Sequence, residues 1–377
     1  MAPIYMDHHA TTPLDPRVLA VMMPFLQDHF ANPSSQHQAG LAIAEKVELA
    51  RDQIAQVLNA EPRDILFTSG ATESINLGLL GAARHDREKG HHIITTETEH
   101  PAVLDCCAQL EQEGFAITRL SVNTHGQLDL EQLQGAIRDE TILVSVMYAN
   151  HEIGTIQDIA AIGAITRQRK ITLLCDATQA ATTEPLDVQA LNVDLLALSG
   201  HKLYGPKGVG LLYLRRKKPR IRLQPMTFGG GQEQGLRSGT LNAPGILGLA
   251  EACRIAHAER GATHRLLRGL HDRLQTQLRH IAPDCLFNGH PSKKIPGNLS
   301  VSFPGVDGKQ LLDQLPGIAL SMGSACTSAL PQPSTVLRAI GLSTDLARGT
   351  LRFGLGRGNT PAEIDLVCER IQETLGA

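Results

Sequence analysis

The middle of the chain alternates short apolar runs with longer segments of helical periodicity, from about residue 65 to residue 214. The runs are rich in β-branched residues, which is typical of buried strands. Regular alternation of such strands with helices favours a largely parallel sheet covered by helices. We therefore predict an α/β fold with at least seven strands, at residues 64–68, 91–97, 115–122, 141–149, 171–177, 193–199 and 209–214.

The pattern changes after the last of these runs, where two longer helices are predicted over residues 244–258 and 262–281. The second has leucines at helical spacing, which indicates an apolar face. Beyond Pro283, short strands and helices alternate and predict a compact α+β domain. We therefore divide the chain into an N-terminal segment 1–15 that packs with the small domain, a large domain 16–258 and a small domain 259–377.

Composition narrows the possible functions of this 377-residue chain. Hydrophobic residues make up 42% of it, which is enough for sizeable cores, whereas aromatic residues make up only 3%. The formal net charge is -3, so neither a basic surface nor stacking aromatics indicate direct nucleic-acid binding. The seven cysteines are an odd number, as expected of reduced thiols, and no basic leader or membrane-length apolar run occurs. We expect a cytoplasmic protein without a membrane anchor.

Polar residues that could do chemistry follow two of the most apolar runs. Asp176 ends one of them, and Lys202 comes three residues after another. Ligands of open α/β sheets bind at the carboxyl ends of strands, so these residues are candidates for one site. A desolvated lysine could form a Schiff base, and a buried aspartate could pair with the protonated ring nitrogen of pyridoxal phosphate. From these residues alone, a turn-capping aspartate and a surface lysine remain open.

Three further segments allow both a structural and a functional interpretation. "FTSGATES" (67–74) places Thr72 where backbone N–H groups attract an anion, but a tight capped turn is the simpler interpretation. His100 ends its strand and could exchange protons with a substrate, although a lone loop histidine is usually structural. "SMGSACTSAL" (321–330) leaves Cys326 among small residues, and by itself it fits a buried turn.

Eight motifs, taken in order, resemble those of cysteine desulfurases, which are class V, fold-type I pyridoxal-phosphate enzymes. The resemblance runs from Ile4 to the final predicted helix and is nearest to the branch that serves iron–sulfur cluster assembly and nitrogenase maturation. It implies an aspartate-aminotransferase-like large domain with a mostly parallel seven-stranded sheet, and a smaller C-terminal α+β domain. The motifs are "MDHHATTPLDPRV", "FTSGATESIN", "TETEHPAVL", "LCDATQ", "SGHKLYGPKGVG", "RSGTLN", "SMGSACTS" and "LRFGLGR".

The resemblance implies roles for the residues around the cofactor ring. Lys202 is expected to bind pyridoxal phosphate covalently, and Asp176 to pair with the ring nitrogen. Gln179 is expected to hydrogen-bond the phenolic oxygen, and His100 to stack on the ring face. His151 stands where the family usually has an asparagine that reaches the cofactor and the substrate carboxylate. An imidazole there is bulkier and titrates near neutral pH, so we expect an altered pH profile or weaker substrate binding.

The resemblance also implies a phosphate site that is shared between two subunits. Ala71, Thr72, Ser199 and His201 are expected to hold the phosphate, and Thr240 of a neighbouring copy is expected to complete it. This arrangement implies a homodimer.

Substrate binding is assigned by the same resemblance. Arg352 matches the arginine that holds the substrate carboxylate, a task that suits a planar, bidentate guanidinium. Asn32 lies in the matching entry segment and is a further substrate-binding candidate.

The chemistry implied by the resemblance is the conversion of L-cysteine to L-alanine. The thiolate of Cys326 would take the sulfur as a persulfide, and a mobile cysteine loop at about 321–333 would deliver it to an acceptor protein. Iron–sulfur scaffolds, tRNA thiolation enzymes and DNA phosphorothioation proteins all use such sulfur. The chain ends at Ala377, directly after the last predicted helix, where housekeeping members continue with a tail that helps to dock the scaffold. This departure leaves the acceptor open.

Four alternatives compete with this prediction. A class V aminotransferase has no use for the "GSACTS" segment, whereas a selenocysteine lyase of the same superfamily remains open. An inactive docking scaffold for sulfur-transfer proteins is opposed by the joint presence of Lys202, Asp176, His100, Arg352 and Cys326. A metal-binding protein is opposed by the spacing of the histidine and cysteine pairs, which are adjacent in sequence and therefore point apart.

Overall fold

A computed structural model describes residues 3–323 and 334–376 of the chain. Cys326, the predicted sulfur acceptor, and most of the predicted cysteine loop lie outside the described residues. The strands of the described part are β1 (Ile4–Tyr5), β2 (Ile65–Thr68), β3 (His92–Thr96), β4 (Ala116–Leu120), β5 (Thr141–Ser145), β6 (Thr172–Asp176), β7 (Leu195–Ser199), β8 (Gly210–Leu214), β9 (Leu286–Asn288), β10 (Asn298–Ser302), β11 (Ile318–Ala319) and β12 (Thr350–Gly354). Its α-helices are α1 (Pro16–Gln27), α2 (Gln38–Leu58), α3 (Ala71–His85), α4 (Pro101–Gln112), α5 (Leu130–Ala136), α6 (Ile159–Arg169), α7 (Ala243–Ile281), α8 (Gly308–Asp313), α9 (Thr335–Ala339), α10 (Thr344–Arg348) and α11 (Pro361–Leu375).

The seven predicted strands form one sheet, in the order β2-β8-β7-β6-β5-β3-β4. The five strands from β7 to β4 run parallel, whereas β8 is antiparallel to both of its neighbours. The prediction of a mostly parallel seven-stranded sheet is therefore confirmed. Because β3, β5, β6 and β7 run in one direction, their carboxyl ends lie along the same edge of the sheet.

Both faces of this sheet are buried, which explains why its strands are continuous apolar runs. Leu173 and Cys175 of β6 pack into one hydrophobic core, and Leu174 between them packs into the other. Helices α1, α2, α6 and α7 cover the first face, and α3 and α4 cover the second. The sheet is therefore the middle layer of three.

A second core lies around two small sheets in the C-terminal part of the chain. Strands β9, β10 and β12 form an antiparallel sheet in the order β12-β10-β9, and β1 pairs in parallel with β11. Met6 is fully buried in the same core as residues of β10, β12 and α11. The N-terminal segment thus crosses the molecule and packs against the C-terminal residues.

The prediction of two helices over residues 244–258 and 262–281 is wrong, because α7 is a single helix of 39 residues. The predicted gap between the two helices contains Gly261, but a lone glycine costs a helix only about 1 kcal/mol, and Ala258, Glu259 and Arg260 before it are good helix formers. The first half of α7 packs into the core of the large sheet and the second half into the core of the small one. The predicted domain boundary between residues 258 and 259 falls within this helix.

A buried ion pair fastens the loop before α7 to the large sheet. Glu233 accepts hydrogen bonds from both terminal nitrogens of Arg51, at 3.0 and 2.8 Å, and from the backbone N–H of Phe67 at 2.7 Å. The two side chains are 1% and 7% exposed, respectively. The guanidinium also lies over the Phe67 ring. The same loop also carries Thr240, a predicted site residue.

None of the helices in the described ranges is long and apolar enough to cross a membrane.

Removing Glu233 should strongly destabilise the protein. Glu233→Ala leaves the Arg51 guanidinium buried without its main partner, and breaking a buried pair in this way costs about 3–5 kcal/mol. The free energy of unfolding, measured by urea denaturation, should fall by this amount. The matched control is Glu48→Ala, which removes an exposed carboxylate 3.2 Å from the same Arg51 and should cost less than about 1 kcal/mol. Equal losses in the two variants would contradict the role of the buried pair.

Candidate active site

A cavity of about 480 Å³ lies at the carboxyl edge of the large sheet. It is lined by residues from seven segments that are far apart in sequence, including the start of the chain and β12. The sequence-predicted residues that line it are Ala71, Thr72, His100, His151, Asp176, Gln179, Ser199, His201, Lys202 and Arg352.

The remaining predicted residues are not brought to this cavity by the described chain. Asn32 is exposed, and its side chain accepts a hydrogen bond from the backbone N–H of Ser34 in a local turn. Thr240 is also exposed and does not line the cavity. Cys326 lies outside the described residues.

One end of the cavity is formed by the start of α3. Gly70 precedes this helix with a φ of 155°, a region that favours glycine, and no side chain caps the helix. The first N–H groups of a 15-residue helix therefore point at the cavity without a side-chain acceptor, and they favour an anion there. Glu73 lines the same end, but its carboxylate is engaged by Arg237 at 2.8 Å and by the N–H of Ser69 at 2.6 Å.

The amine of Lys202 lies in the cavity and is held by the N-terminal segment. Lys202 ends a short 3-10 turn that follows β7 directly. Its Nζ donates to the backbone carbonyl of His9 and to that of Ala10, the latter at 2.9 Å. The sequence analysis missed His9 and Ala10 as site residues, although both lie in the motif "MDHHATT".

The same histidine fixes the amide of Gln179. Nδ1 of His9 lies 3.1 Å from Oε1 of Gln179, and Nε2 of Gln179 donates to the His9 carbonyl at 2.9 Å. Burial lowers the pKa of His9 to about 3, so its ring is neutral. The other ring nitrogen lies 3.2 Å from the carbonyl of Gly297. Gln179 is therefore held in one orientation at the cavity wall.

Two carboxyl groups lie close to each other beneath the cavity. Asp176 ends β6, is 8% exposed, and accepts a hydrogen bond from the N–H of Thr178 at 3.0 Å. Glu99 is buried deeper, where its Oε1 accepts from the Thr96 hydroxyl and the Met147 N–H, both at 2.9 Å. Burial raises the pKa of Glu99 to about 8, and the charge of Asp176 adds to the shift. Glu99 therefore keeps its proton at neutral pH.

Two imidazoles face each other across the cavity. The His100 and His151 rings lie 5.4 Å apart and are nearly perpendicular. Nδ1 of His100 accepts a hydrogen bond from the N–H of Ala102 and so caps α4. Burial lowers the pKa of His100 to about 4, and the neighbouring His151 adds to the shift. A neutral His100 that accepts at Nδ1 carries its proton on Nε2.

The guanidinium of Arg352 is 2% exposed and lies in the wall opposite the large sheet. One terminal nitrogen donates to Oδ1 of Asp7 at 2.8 Å, and the other to the carbonyl of His151 at 2.9 Å. Its Nε has no hydrogen-bond partner within residues 3–323 and 334–376. Asp7 was also missed by the sequence analysis, and only its place in the motif "MDHHATT" indicated it.

The sequence matches the family described as aminotransferase class-V over residues 4–367. The chain belongs to the class-V aminotransferase family. A curated relative named cysteine desulfurase IscS, from Colwellia psychrerythraea, is 50% identical over 99% of this chain and 93% of that protein. The IscS of Escherichia coli is similar to the same degree. The predicted family is therefore confirmed.

Solved structures agree with this assignment. A NifS-like protein superposes with a TM-score of 0.93 at 36% identity and covers 99% of both chains. A structure described as SspA in complex with cysteine superposes with a TM-score of 0.83, also at 36% identity, and covers 93% of this chain and 98% of that one.

Class-V aminotransferases depend on pyridoxal phosphate, and the cavity fits this cofactor. The uncapped start of α3 suits a phosphate, the carboxylate of Asp176 suits a protonated ring nitrogen, and the amine of Lys202 suits a covalent link. A volume of about 480 Å³ is typical of a cofactor or small-ligand site. In the described part of the chain, no group of three or more His, Cys, Asp or Glu side chains could hold a metal ion.

The protonated state of Glu99 predicts a pH dependence of stability. The folded chain keeps this proton up to about pH 8, whereas an unfolded chain loses it near about pH 4.3. Between these values unfolding releases a proton, so this group lowers the free energy of unfolding as the pH rises from about 5 to about 8. Glu99→Gln keeps the acceptor oxygen and cannot ionise. In this variant the free energy of unfolding should therefore fall less steeply as the pH rises from about 5 to about 8. Urea denaturation at several pH values in this range would measure the difference.

The exposed Glu97, two residues before Glu99, provides the matched control. Glu97→Gln should leave the pH dependence of the wild type in place. A Glu99→Gln variant with the same slope as the wild type would show that Glu99 ionises normally.

Proposed function

We propose that this chain acts as a cysteine desulfurase that converts L-cysteine to L-alanine and transfers the sulfur to Cys326. The observation that carries the proposal is the meeting of Lys202, Asp176 and Arg352 in one cavity, because an amine, a carboxylate and a guanidinium suit the cofactor and an amino-acid carboxylate together. The curated relative named cysteine desulfurase, at 50% identity, and the SspA structure with cysteine support the choice of substrate.

The described residues provide a place for each part of the cofactor. The start of α3, with Ala71, Thr72, Ser199 and His201, would bind the phosphate. Asp176 would hold the positive charge of the ring nitrogen, and the protonated Glu99 beneath it keeps a second negative charge away. When bound, pyridoxal phosphate withdraws electrons from the α-carbon of the substrate. Gln179, fixed by His9, would donate to the phenolic oxygen.

Arg352 would bind the carboxylate of L-cysteine. Asp7 and the carbonyl of His151 each accept one N–H of a terminal nitrogen, so the N–H of Nε and the second N–H of each terminal nitrogen remain as donors for the substrate. Because these contacts fix the guanidinium before the substrate arrives, little conformational freedom is lost on binding. His151 lines the cavity beside His100 and would contact the cofactor or the substrate in place of the usual asparagine. Asn32 remains a proposed substrate-binding residue, although its side chain does not line the cavity.

Lys202 and His100 would carry the protons. The amine of Lys202 is the base that we assign to the α-proton of the substrate, because it lies in the cavity and is aimed by two backbone carbonyls. His100 keeps a proton on Nε2 while its Nδ1 is engaged by Ala102, so it can donate to a group at the cavity.

Cys326 would take the sulfur. Attack of its thiolate forms an S–S bond while the C–S bond of the substrate breaks, and the electron pair stays with carbon. The carbon fragment takes up a proton and leaves as L-alanine, and Cys326 keeps a persulfide. The backbone of Ser321, five residues before Cys326, pairs with that of Arg352 at the cavity wall. This pairing supports the assignment, because it brings the chain that leads to Cys326 to the cavity. The persulfide would then pass to an acceptor protein.

A second copy of the chain would complete the site. Phe30 and Phe228 are 83% and 81% exposed, which is unusual for side chains of this size and favours their burial in an interface. Phe228 lies in the loop that also carries Thr240, so a neighbour that covers this loop would bring Thr240 close to its own cavity. We therefore propose a homodimer. The six described cysteines are free and buried, in keeping with a reducing, cytoplasmic location.

Cofactor attachment can be tested at Lys202. The purified protein should show a visible absorption band, and reduction with borohydride should leave pyridoxal phosphate on the peptide that contains Lys202. Lys202→Ala should lose both signals because it lacks the amine. Lys207→Ala is the matched control, since Lys207 also lines the cavity but is exposed. Cofactor attached to a peptide without Lys202 would contradict the assignment.

The sulfur-transfer step can be tested by incubating the protein with pyridoxal phosphate and L-cysteine and measuring alanine and sulfide. The parent should produce both. Cys326→Ser should keep the absorption band and form alanine at less than about one hundredth of the parent rate, because it lacks the attacking thiolate. Cys285→Ser, which changes a buried cysteine of the small-sheet core, should retain the parent rate. A Cys326→Ser variant that releases sulfide like the parent would contradict the role of Cys326.

A further inference from the structure

Glu152 is a buried carboxylate that belongs to a rigid turn after the large sheet. The side chain of Asn150 accepts hydrogen bonds from the N–H of Glu152 at 2.8 Å and from that of Ile153 at 3.0 Å. Glu152 itself is 4% exposed. Its carbonyl accepts from the side chain of Asn298 at 3.1 Å, which ties the turn to the small sheet. A carboxylate in such a place requires specific partners.

Its carboxylate has the His151 ring on one side, with Nε2 3.5 Å from Oε1, and lies close to both residues that flank the segment 324–333. Oε2 of Glu152 accepts a hydrogen bond from the hydroxyl of Ser334. The same oxygen lies 3.1 Å from the point where a Cβ on Gly323 would be, and Cβ of Ser334 lies 3.9 Å from that point. Glu152 therefore sits where the chain enters and leaves the ten residues that include Cys326, and the two ends meet at its carboxylate.

The same ends are connected to the arginine that we assign to the substrate. Ser321, two residues before Gly323, pairs with Arg352 through two backbone hydrogen bonds, of 2.6 and 3.4 Å. Arg352 in turn donates to the carbonyl of His151, the residue next to Glu152. Arg352 thus connects the stretch that leads into the segment, at Ser321, with the turn that carries Glu152, at His151.

The charge of Glu152 suits a role as an acceptor. Burial disfavours the ionised form, yet the pKa of Glu152 is lowered, because His151 and Ser334 lie at the carboxylate and the positive charge of Arg352 is close. Hydrogen bonds to an ionised acceptor are roughly twice as strong as neutral ones. The contact with Ser334 is therefore one of the stronger contacts that the described chain makes at this point.

We propose that Glu152 is a positioning residue for sulfur transfer, which holds both ends of the Cys326 segment at the substrate-binding arginine. The inference rests on the proposed function, because it assumes that Cys326 must meet the sulfur of a substrate bound at Arg352. Misplacing a reacting group by about 1 Å can cost a hundredfold in rate, so the anchoring of these ends matters for the rate of the transfer.

Substitution of Ser334 can distinguish a role in sulfur transfer from a general effect on folding. Its hydroxyl also caps α9 by accepting from the N–H of Leu337 at 3.2 Å. Ser343 caps the next helix, α10, in the same way, by accepting from the N–H of Leu346 at 3.3 Å, and within residues 3–323 and 334–376 no hydrogen bond joins its side chain to Glu152. Ser334→Ala removes a cap and the Glu152 contact, whereas Ser343→Ala removes a cap alone.

The experiment compares these two variants as purified holoenzymes. The first readout is the L-cysteine concentration that gives the half-maximal change of the cofactor absorption, which reports substrate binding. The second is the rate at which Cys326 gains one sulfur atom in a single turnover at saturating L-cysteine, followed by mass spectrometry. Ser334→Ala should form the persulfide about tenfold more slowly than the parent with unchanged substrate binding, and Ser343→Ala should stay within about twofold.

Two substitutions of Glu152 provide an independent arm. Glu152→Gln keeps an acceptor oxygen for Ser334 and should retain more of the persulfide rate than Glu152→Ala, which keeps none. Equal persulfide rates in Ser334→Ala and Ser343→Ala would overturn the inference while leaving the proposed function intact. A parent enzyme that binds L-cysteine but forms no persulfide on Cys326 would overturn the proposed function, and the inference with it.

Discussion

The ion pair between Asp7 and Arg352 joins the three parts of the molecule on which the site depends. Asp7 follows β1, Arg352 lies in the small sheet, and both meet at the edge of the large one. A guanidinium that is 2% exposed requires a charged partner, because an unpaired buried charge is strongly destabilising. The N-terminal segment supplies that partner, and on the same path the carbonyls of His9 and Ala10 reach the amine of Lys202. One short stretch of chain therefore holds the side chains of both Arg352 and Lys202.

The fold was largely predictable because its signal is local. Each of the seven predicted runs became a strand of the large sheet, since strands buried on both faces must be apolar throughout. The prediction of a break near Gly261 was wrong because of tertiary packing. Packing along both cores stabilises α7 as one helix, and this stabilisation exceeds the cost of one glycine. Sequence periodicity records which face of a helix is buried, but it does not record how far the burial continues.

The site residues also differ in whether the local sequence indicates them. Lys202, Asp176 and His100 were candidates because each lies at or shortly after the carboxyl end of an apolar strand, and parallel strands bring such residues to one edge. Arg352 was found only through a family motif, and Asp7 and Glu152 were not found at all. Their roles come from contacts between segments more than 150 residues apart, namely Asp7 with Arg352 and Glu152 with Ser334. Spacing along the chain carries no information about such contacts.

Two buried glutamates illustrate how neighbours can either leave or overcome the effect of burial on a carboxyl group. Glu99 and Glu152 are both almost fully buried, yet the pKa of Glu99 is raised to about 8 and that of Glu152 is lowered. Burial raises the pKa of Glu99, and its hydrogen bonds from Thr96 and Met147 do not offset this effect, so Glu99 keeps its proton. Glu152 faces His151, the Ser334 hydroxyl and Arg352, which together outweigh burial, so it stays ionised. Two carboxyl groups of similar burial therefore differ in charge, and the ionised one lies beside the residues that flank the cysteine segment.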